Sequence, residues 1–186
     1  MRMKIADLRM GKTNFDRIFL NQYLMENGKE NRKITNTPHY KLLRSYENNR
    51  LLDLKDTDYY KWAMTKVKYH KRFFGCDKEG CILNHMRRFL KLYDEVKDNG
   101  FKYSRGKIIV FKSVHNYKKS DKYGRPHPPT ETYVPEDYEI VEGHHRAAIL
   151  AALGYEDIEV EFHSRWTVLK NALLKKYAIY RGKWFN

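Results

Sequence analysis

The chain has 186 residues, of which 41% are hydrophobic and 15% aromatic, enough apolar material for a folded core and too much for wholesale disorder. Its formal net charge of +14 favours polyanions such as nucleic acid, nucleotides or acidic sugars, with plain solubility as the alternative. The sequence has no run of 18 apolar residues, no signal peptide and just two cysteines. We therefore expect a cytoplasmic protein with no membrane partner and with reduced thiols.

The first 80 residues predict a helical extension that packs on the rest of the chain. A helix is expected from Asn14 to a stop at Gly28, followed by a polar loop over residues 29–38 and an element of uncertain type beginning at Pro38. His39 and Tyr40 lie in this last element and could reach the site at residues 142–146 described below, but nothing in the sequence places them there.

A second helix is expected to begin with Asp58 as its N-cap and to end at Gly75. Its aromatic residues recur at helical spacing and alternate with lysine and arginine. This pattern suits single-stranded nucleic acid, whose bases stack while its phosphates pair, but recurrence at helical spacing is more typical of a core-facing stripe.

Histidines and cysteines near the end of this helix have the order of a metal site. His70, Cys76, Cys81 and His85 give the spacing H-x5-C-x4-C-x3-H, and four such ligands can hold a tetrahedral Zn²⁺. The spacing fits no standard zinc finger, so we do not expect zinc here. The alternative is a loop with two reduced thiols.

Residues 81–186 predict a small α/β unit with a mixed sheet, and we expect it to form one compact body with the 1–80 extension. The long loop 114–135 contains four of the five prolines. It is either a lid over the candidate site at residues 142–146, described next, or a plain surface loop. The other expected elements are a helix over 84–97, strands over 107–111, 138–141 and 158–162, a helix over 144–153 and a last helix beginning at Ser164. The helix over 84–97 has an apolar stripe that we expect to face the core: Met86, Phe89, Leu90, Tyr93 and Val96.

The turn between the strand 138–141 and the helix 144–153 is the strongest candidate site. Gly143 can take a positive φ and lets a ligand approach the backbone, and the first turn of a helix offers unpaired N–H groups to an anion. Arg146 is the single Lys or Arg among nine acids over residues 126–163, so we expect it to grip phosphate rather than pair with Glu142. His144 and His145 are candidates for phosphate contact or proton transfer.

The segment Ile140–Gly154, followed by Ile158–Val160, resembles the nucleotide-binding box of the ParB/sulfiredoxin superfamily. Upstream, the helix that ends at Gly100 and the strand at Ile108–Val110 are similar to the elements that precede this box. The resemblance covers about residues 84–163. It implies a small α/β fold with a β-α-β unit that binds ATP or CTP together with Mg²⁺.

The form Glu-Gly-His-His-Arg is nearest to the Asp-Gly-His-His-Arg box of the kinase-like members. The resemblance implies phosphate contacts from Gly143, His144, His145 and Arg146, and a catalytic or Mg²⁺-binding role for Glu142, which stands where those members have Asp. It implies a phosphotransferase that acts on a small-molecule or polyanionic substrate, or an NTP hydrolase. The alternatives are a nucleic-acid-binding protein or ParB-like nuclease, and a module that senses nucleotide without turning it over.

Overall fold

The computed structural model describes residues 1–10, 25–26, 29–30, 33–102, 106–112 and 138–162. Within these ranges the protein is a mixture of α and β structure with four helices and eight short strands. The helices are α1 (Pro38–Asn48), α2 (Asp58–His70), α3 (Glu79–Asn99) and α4 (His144–Ala152). The strands are β1 (Arg2–Lys4), β2 (Leu8–Met10), β3 (Met25–Glu26), β4 (Lys29–Glu30), β5 (Ile109–Lys112), β6 (Tyr138–Glu142), β7 (Asp157–Glu159) and β8 (Glu161–Phe162).

The main sheet contains four strands in the order β2-β6-β5-β8. Strand β6 is parallel to β2 and antiparallel to β5, which in turn is parallel to β8. Strands β1 and β7 form a separate antiparallel pair, as do β3 and β4. Because β2 belongs to the first ten residues, the sheet joins the two regions that the sequence divides at residue 80, and α3 crosses that division.

The strand expected over 158–162 is divided in two at Val160. Residues before Val160 pair with β1, whereas those after it pair with β5. Val160 itself is buried. The chain therefore runs from β6, one neighbour of β5, through α4 and then through β7 in the separate two-stranded sheet. It returns to the main sheet as β8, the other neighbour of β5.

Helices α1 and α2 are each capped by the threonine that precedes their first residue. The Thr57 hydroxyl accepts from the Tyr60 backbone N–H at 3.2 Å and donates to the Leu54 carbonyl at 2.6 Å. Thr37 makes the equivalent pair of hydrogen bonds. The expected N-cap at Asp58 is therefore wrong by one residue, because a hydroxyl can both cap the helix and tie back to the preceding 3-10 turn, which a carboxylate cannot do.

Three expected elements either differ from the structure or lie outside the described residues. The helix expected from Asn14 to Gly28 is wrong at its end, because Met25–Glu26 is strand β3 paired with β4. Residues 11–24 lie outside the described part of the chain. The loop 114–135 and the helix expected from Ser164 also lie outside it.

The core contains the apolar stripe predicted for α3, whose five members are all buried: Met86, Phe89, Leu90, Tyr93 and Val96. The stripe predicted for α2 is confirmed for Tyr59, Trp62 and Ala63, whereas Tyr69 is 67% exposed. Helix α2 ends at His70 and Lys71 takes φ +63°, so the helix stops before the expected Gly75. No helix in the described ranges has the length and apolar character needed to cross a bilayer.

Candidate functional site

The turn that joins β6 to α4 has the predicted order of strand, glycine and helix. Strand β6 ends at Glu142, Gly143 takes φ +92°, and α4 begins at His144 without a side-chain cap from any described residue. A Cβ on Gly143 would lie 3.1 Å from both the Ile108 Cα and the Lys107 carbonyl oxygen. Glycine is thus required twice, for its backbone conformation and for the close approach of residues 107–108, which precede strand β5.

Gly143→Ala should lower the free energy of unfolding by about 1–2 kcal/mol, the cost of a left-handed L-residue, before the crowding against Ile108 is counted. Urea unfolding of the two proteins measures the difference. Gly80→Ala is the matched control: Gly80 lies in α3, where an added methyl group would meet no atom within 4 Å, and alanine favours a helix. Equal effects of the two substitutions would contradict the role given to Gly143.

A cavity of about 440 Å³ opens at this turn. Its wall combines the turn itself with the N-terminal half of α3 and with Phe74, which precedes that helix. Such a volume lies within the range of small-molecule sites. The lining residues are Phe74, His85, Arg88, Phe89, Leu92, Val141, Glu142, Gly143, His144, His145 and Arg146. All five candidate residues of the box, 142–146, thus line one cavity.

Arg146 lies at the edge of this cavity and also lines a second one of about 430 Å³, formed with the C-terminal half of α3. Its Nη1 donates to the Lys107 carbonyl oxygen at 3.3 Å. The guanidinium lies against the backbone of Gly106, where a Cβ would overlap it. The loop before β5 therefore holds the guanidinium beside the first turn of α4.

His145 points into a cluster of rings rather than into open solvent. Its Nε2 accepts from the Tyr59 hydroxyl at 2.7 Å in the tautomer that carries its proton on Nδ1. The ring centroids of Phe89 and His39 lie 4.4 and 4.8 Å from its own. Burial, with smaller contributions from His85, His144 and Arg146, lowers the pKa of His145 to about 3. The imidazole is therefore neutral at physiological pH.

His39 reaches the site from the N-terminal half of the chain. It is 1% exposed, and its ring lies 6.3 Å from that of His144 in a stacked arrangement. Neither ring nitrogen has a hydrogen-bond partner among the described residues. Burial above all, then His145 and His144, hold its pKa well below the ordinary value. The neutral imidazole packs as a flat ring that supports the two histidines of α4.

The expectation of two reduced thiols is wrong, because Cys76 and Cys81 form a disulfide with their Cα atoms 5.4 Å apart. The five-residue spacing allows this because the chain turns back between Phe73 and Cys76 before α3 begins. The described residues contain no group of three or more His, Cys, Asp or Glu arranged to hold a metal ion. The side chain of His70 lies outside the described part of the molecule.

The sequence raised His39 as a residue that could reach the site but could not place it there, and it did not identify Tyr59, Phe74, His85 or Arg88 as parts of the site. A signal for His39 and Tyr59 was present, since each follows a helix-capping threonine by two residues and so enters a helix near its N-terminus. Placing them still requires the packing of α1 and α2 on α4. No family model, no curated protein and no solved structure was found to match the chain.

Proposed function

We propose that the protein binds ATP or CTP by the phosphates at the N-terminus of α4 and acts as a phosphotransferase or NTP hydrolase of the ParB/sulfiredoxin fold. One observation carries this proposal: the first turn of α4, two arginines and the Glu142 carboxylate line a single cavity. Unpaired backbone N–H groups and arginine are the groups that proteins use to hold phosphate. Support for the fold comes from the order of elements, since α3, β5, β6 and α4 follow one another as the resemblance implies, and strand β7 after them contains Ile158 and Glu159 of the resembling segment.

Within this site each residue has a distinct chemical capacity. Arg146 and the N–H groups of the first turn neutralise phosphate charge, and Arg88 offers a second cation from α3. Glu142 is exposed at the end of β6, so its carboxylate can hold Mg²⁺ or accept the proton of an attacking hydroxyl. Bound Mg²⁺ would supply charge neutralisation between the phosphates.

The two histidines of the box divide these tasks. His144 is at the first position of α4 and lines the cavity. Its Nε2 is buried, so Nδ1 is the ring nitrogen that we assign to a contact with phosphate. His145 is bonded to Tyr59 and enclosed by rings, so its part is to fix the first turn of α4 in position. A neutral His145 also spares the site a buried positive charge beside Arg146.

The test is a titration of the purified protein with ATP and CTP in the presence of Mg²⁺, followed by analysis of the products. Release of the nucleoside diphosphate, ADP or CDP, together with inorganic phosphate identifies hydrolysis, whereas release of the diphosphate alone identifies transfer of the phosphoryl group to the protein itself or to an added acceptor. Saturable binding with neither product identifies a module that senses nucleotide. Absence of binding to both nucleotides would overturn the proposal.

A further inference from the structure

Phe74 is a large apolar side chain held where it gains little from burial. It is 58% exposed, and its backbone takes φ +47°, a conformation that costs an L-residue about 1–2 kcal/mol. Bulky residues in this region of φ are rare, and such strain concentrates at binding and catalytic sites. The exposure and the strain together indicate that the ring serves a ligand rather than the core.

The turn that carries Phe74 is fixed on both sides. The backbones of Phe73 and Cys76 exchange two hydrogen bonds, each 2.8 Å long. Phe73 is buried, with its ring 4.9 Å from that of Trp62, and the Cys76–Cys81 disulfide ties the turn to the first turns of α3. A ring presented on such a support loses little conformational entropy when a ligand stacks on it.

The ring of Phe74 is presented to the candidate site. It stacks on His85 at 4.9 Å with an angle of 11° between the planes, and its centroid lies 5.1 Å from that of His145. Phe74 lines the same cavity as Gly143, His144 and Arg146. An aromatic surface and the proposed phosphate-binding turn thus share one cavity. These two features are complementary to the base and the phosphates of a nucleotide.

The charge around the turn favours an anionic ligand. Arg88 and Arg146 line the cavity together with the carboxylate of Glu142, so its lining carries more positive than negative charge. A neutral apolar ligand would use the ring but not these cations. A ligand that contains both a flat base and phosphate uses both.

We propose that Phe74 is a stacking platform for the base of a nucleotide whose phosphates bind at the first turn of α4. The inference rests on the proposed function and adds a residue that determines affinity for the base. The shared chemistry is one base with its phosphate, and its source is either free ATP or CTP or a nucleotide unit of a single strand. Stacking of this kind is tolerant of base identity, so ATP and CTP should respond alike.

The experiment compares wild-type protein, Phe74→Ala and Phe74→Trp, all with the disulfide intact, in titrations with ATP, CTP, inorganic tripolyphosphate and a 12-nucleotide single strand. Phe74→Ala should weaken binding of the two nucleotides about 5- to 100-fold and leave tripolyphosphate within twofold of wild type. Phe74→Trp should restore the loss. Tyr69→Ala is the matched control, since Tyr69 is 67% exposed on the same segment but does not line the cavity.

The outcomes separate this inference from the proposed function. Nucleotide binding that Phe74→Ala leaves unchanged, or an equal loss for tripolyphosphate, overturns the stacking role and leaves the proposed function standing. Binding of the single strand that depends on Phe74, without binding of ATP or CTP, supports the platform and overturns the proposed function. No binding of any probe by wild-type protein overturns both.

Discussion

Acidification from pH 7 to pH 4.5 should lower the free energy of unfolding by about 2–3 kcal/mol through His145 alone. The pKa of its imidazole falls from an ordinary 6.5 to about 3 in the folded protein. Between these two values the unfolded chain binds a proton that the folded chain does not, so stability is complete above pH 6.5 and declines as the pH falls toward 3. His39 adds a loss in the same direction, since burial lowers its pKa as well.

Urea unfolding at pH 7, 6, 5 and 4.5 measures this dependence. His145→Gln and His39→Gln should each flatten the decline, because an amide does not titrate. Glu47→Gln is the control. Hydrogen bonds from Lys97 and Tyr93 lower the pKa of Glu47 below its ordinary value of 4.5, so the stability that Glu47 contributes is lost mainly below pH 4.5, outside the measured range. A wild-type decline that persists in both histidine variants would show that the imidazoles of the site are not buried in their neutral form.

The local parts of the fold could be predicted from the sequence because local rules determine them. Gly143 lies between a strand that contains β-branched residues and an alanine-rich helix, and its positive φ is the conformation that such a turn requires. The stripe on α3 repeats at helical spacing and is buried as expected. Gly100 ends that helix at φ +73°.

Pairing across long distances could not be predicted in this way. Nothing local to Val160 indicates that the chain changes partner there, because the alternating pattern continues through it. The split depends on β1, which comes from the N-terminal end of the chain. Strand β1 pairs with β7, the residues before Val160, and β5 pairs with β8, the residues after it. The same limit applied to Leu8–Met10, whose pairing with β6 makes it part of the sheet that carries the site.

The histidines of the box illustrate the difference for the site. The motif predicted that His144 and His145 lie beside the turn, and both line the cavity. It could not predict that they face different surroundings, since the rings around His145 come from His39, Tyr59 and Phe74 as well as from α3. Residues outside the region of resemblance therefore complete the support of the turn at residues 143–146.

Replacing Arg146 by alanine should weaken binding of ATP and CTP about 10- to 100-fold, the value of a charged hydrogen-bonding partner. The guanidinium is held by the Lys107 carbonyl at 3.3 Å and by the backbone of Gly106, so it is positioned before a ligand arrives. Arg146→Lys should recover part of the affinity, because it restores the charge but not the planar pair of donors.

The matched control is Arg87→Ala, which removes an exposed arginine from α3 whose Nη1 donates to Asn84 at 2.9 Å and which does not line the cavity. Its affinity for nucleotide should stay within twofold of wild type, because a solvated cation outside the cavity adds little at physiological salt. Thermal unfolding of both variants shows whether the fold is retained. Unchanged affinity in folded Arg146→Ala would mean that phosphate is not held at the turn of residues 143–146, and the mechanism derived from it would be wrong.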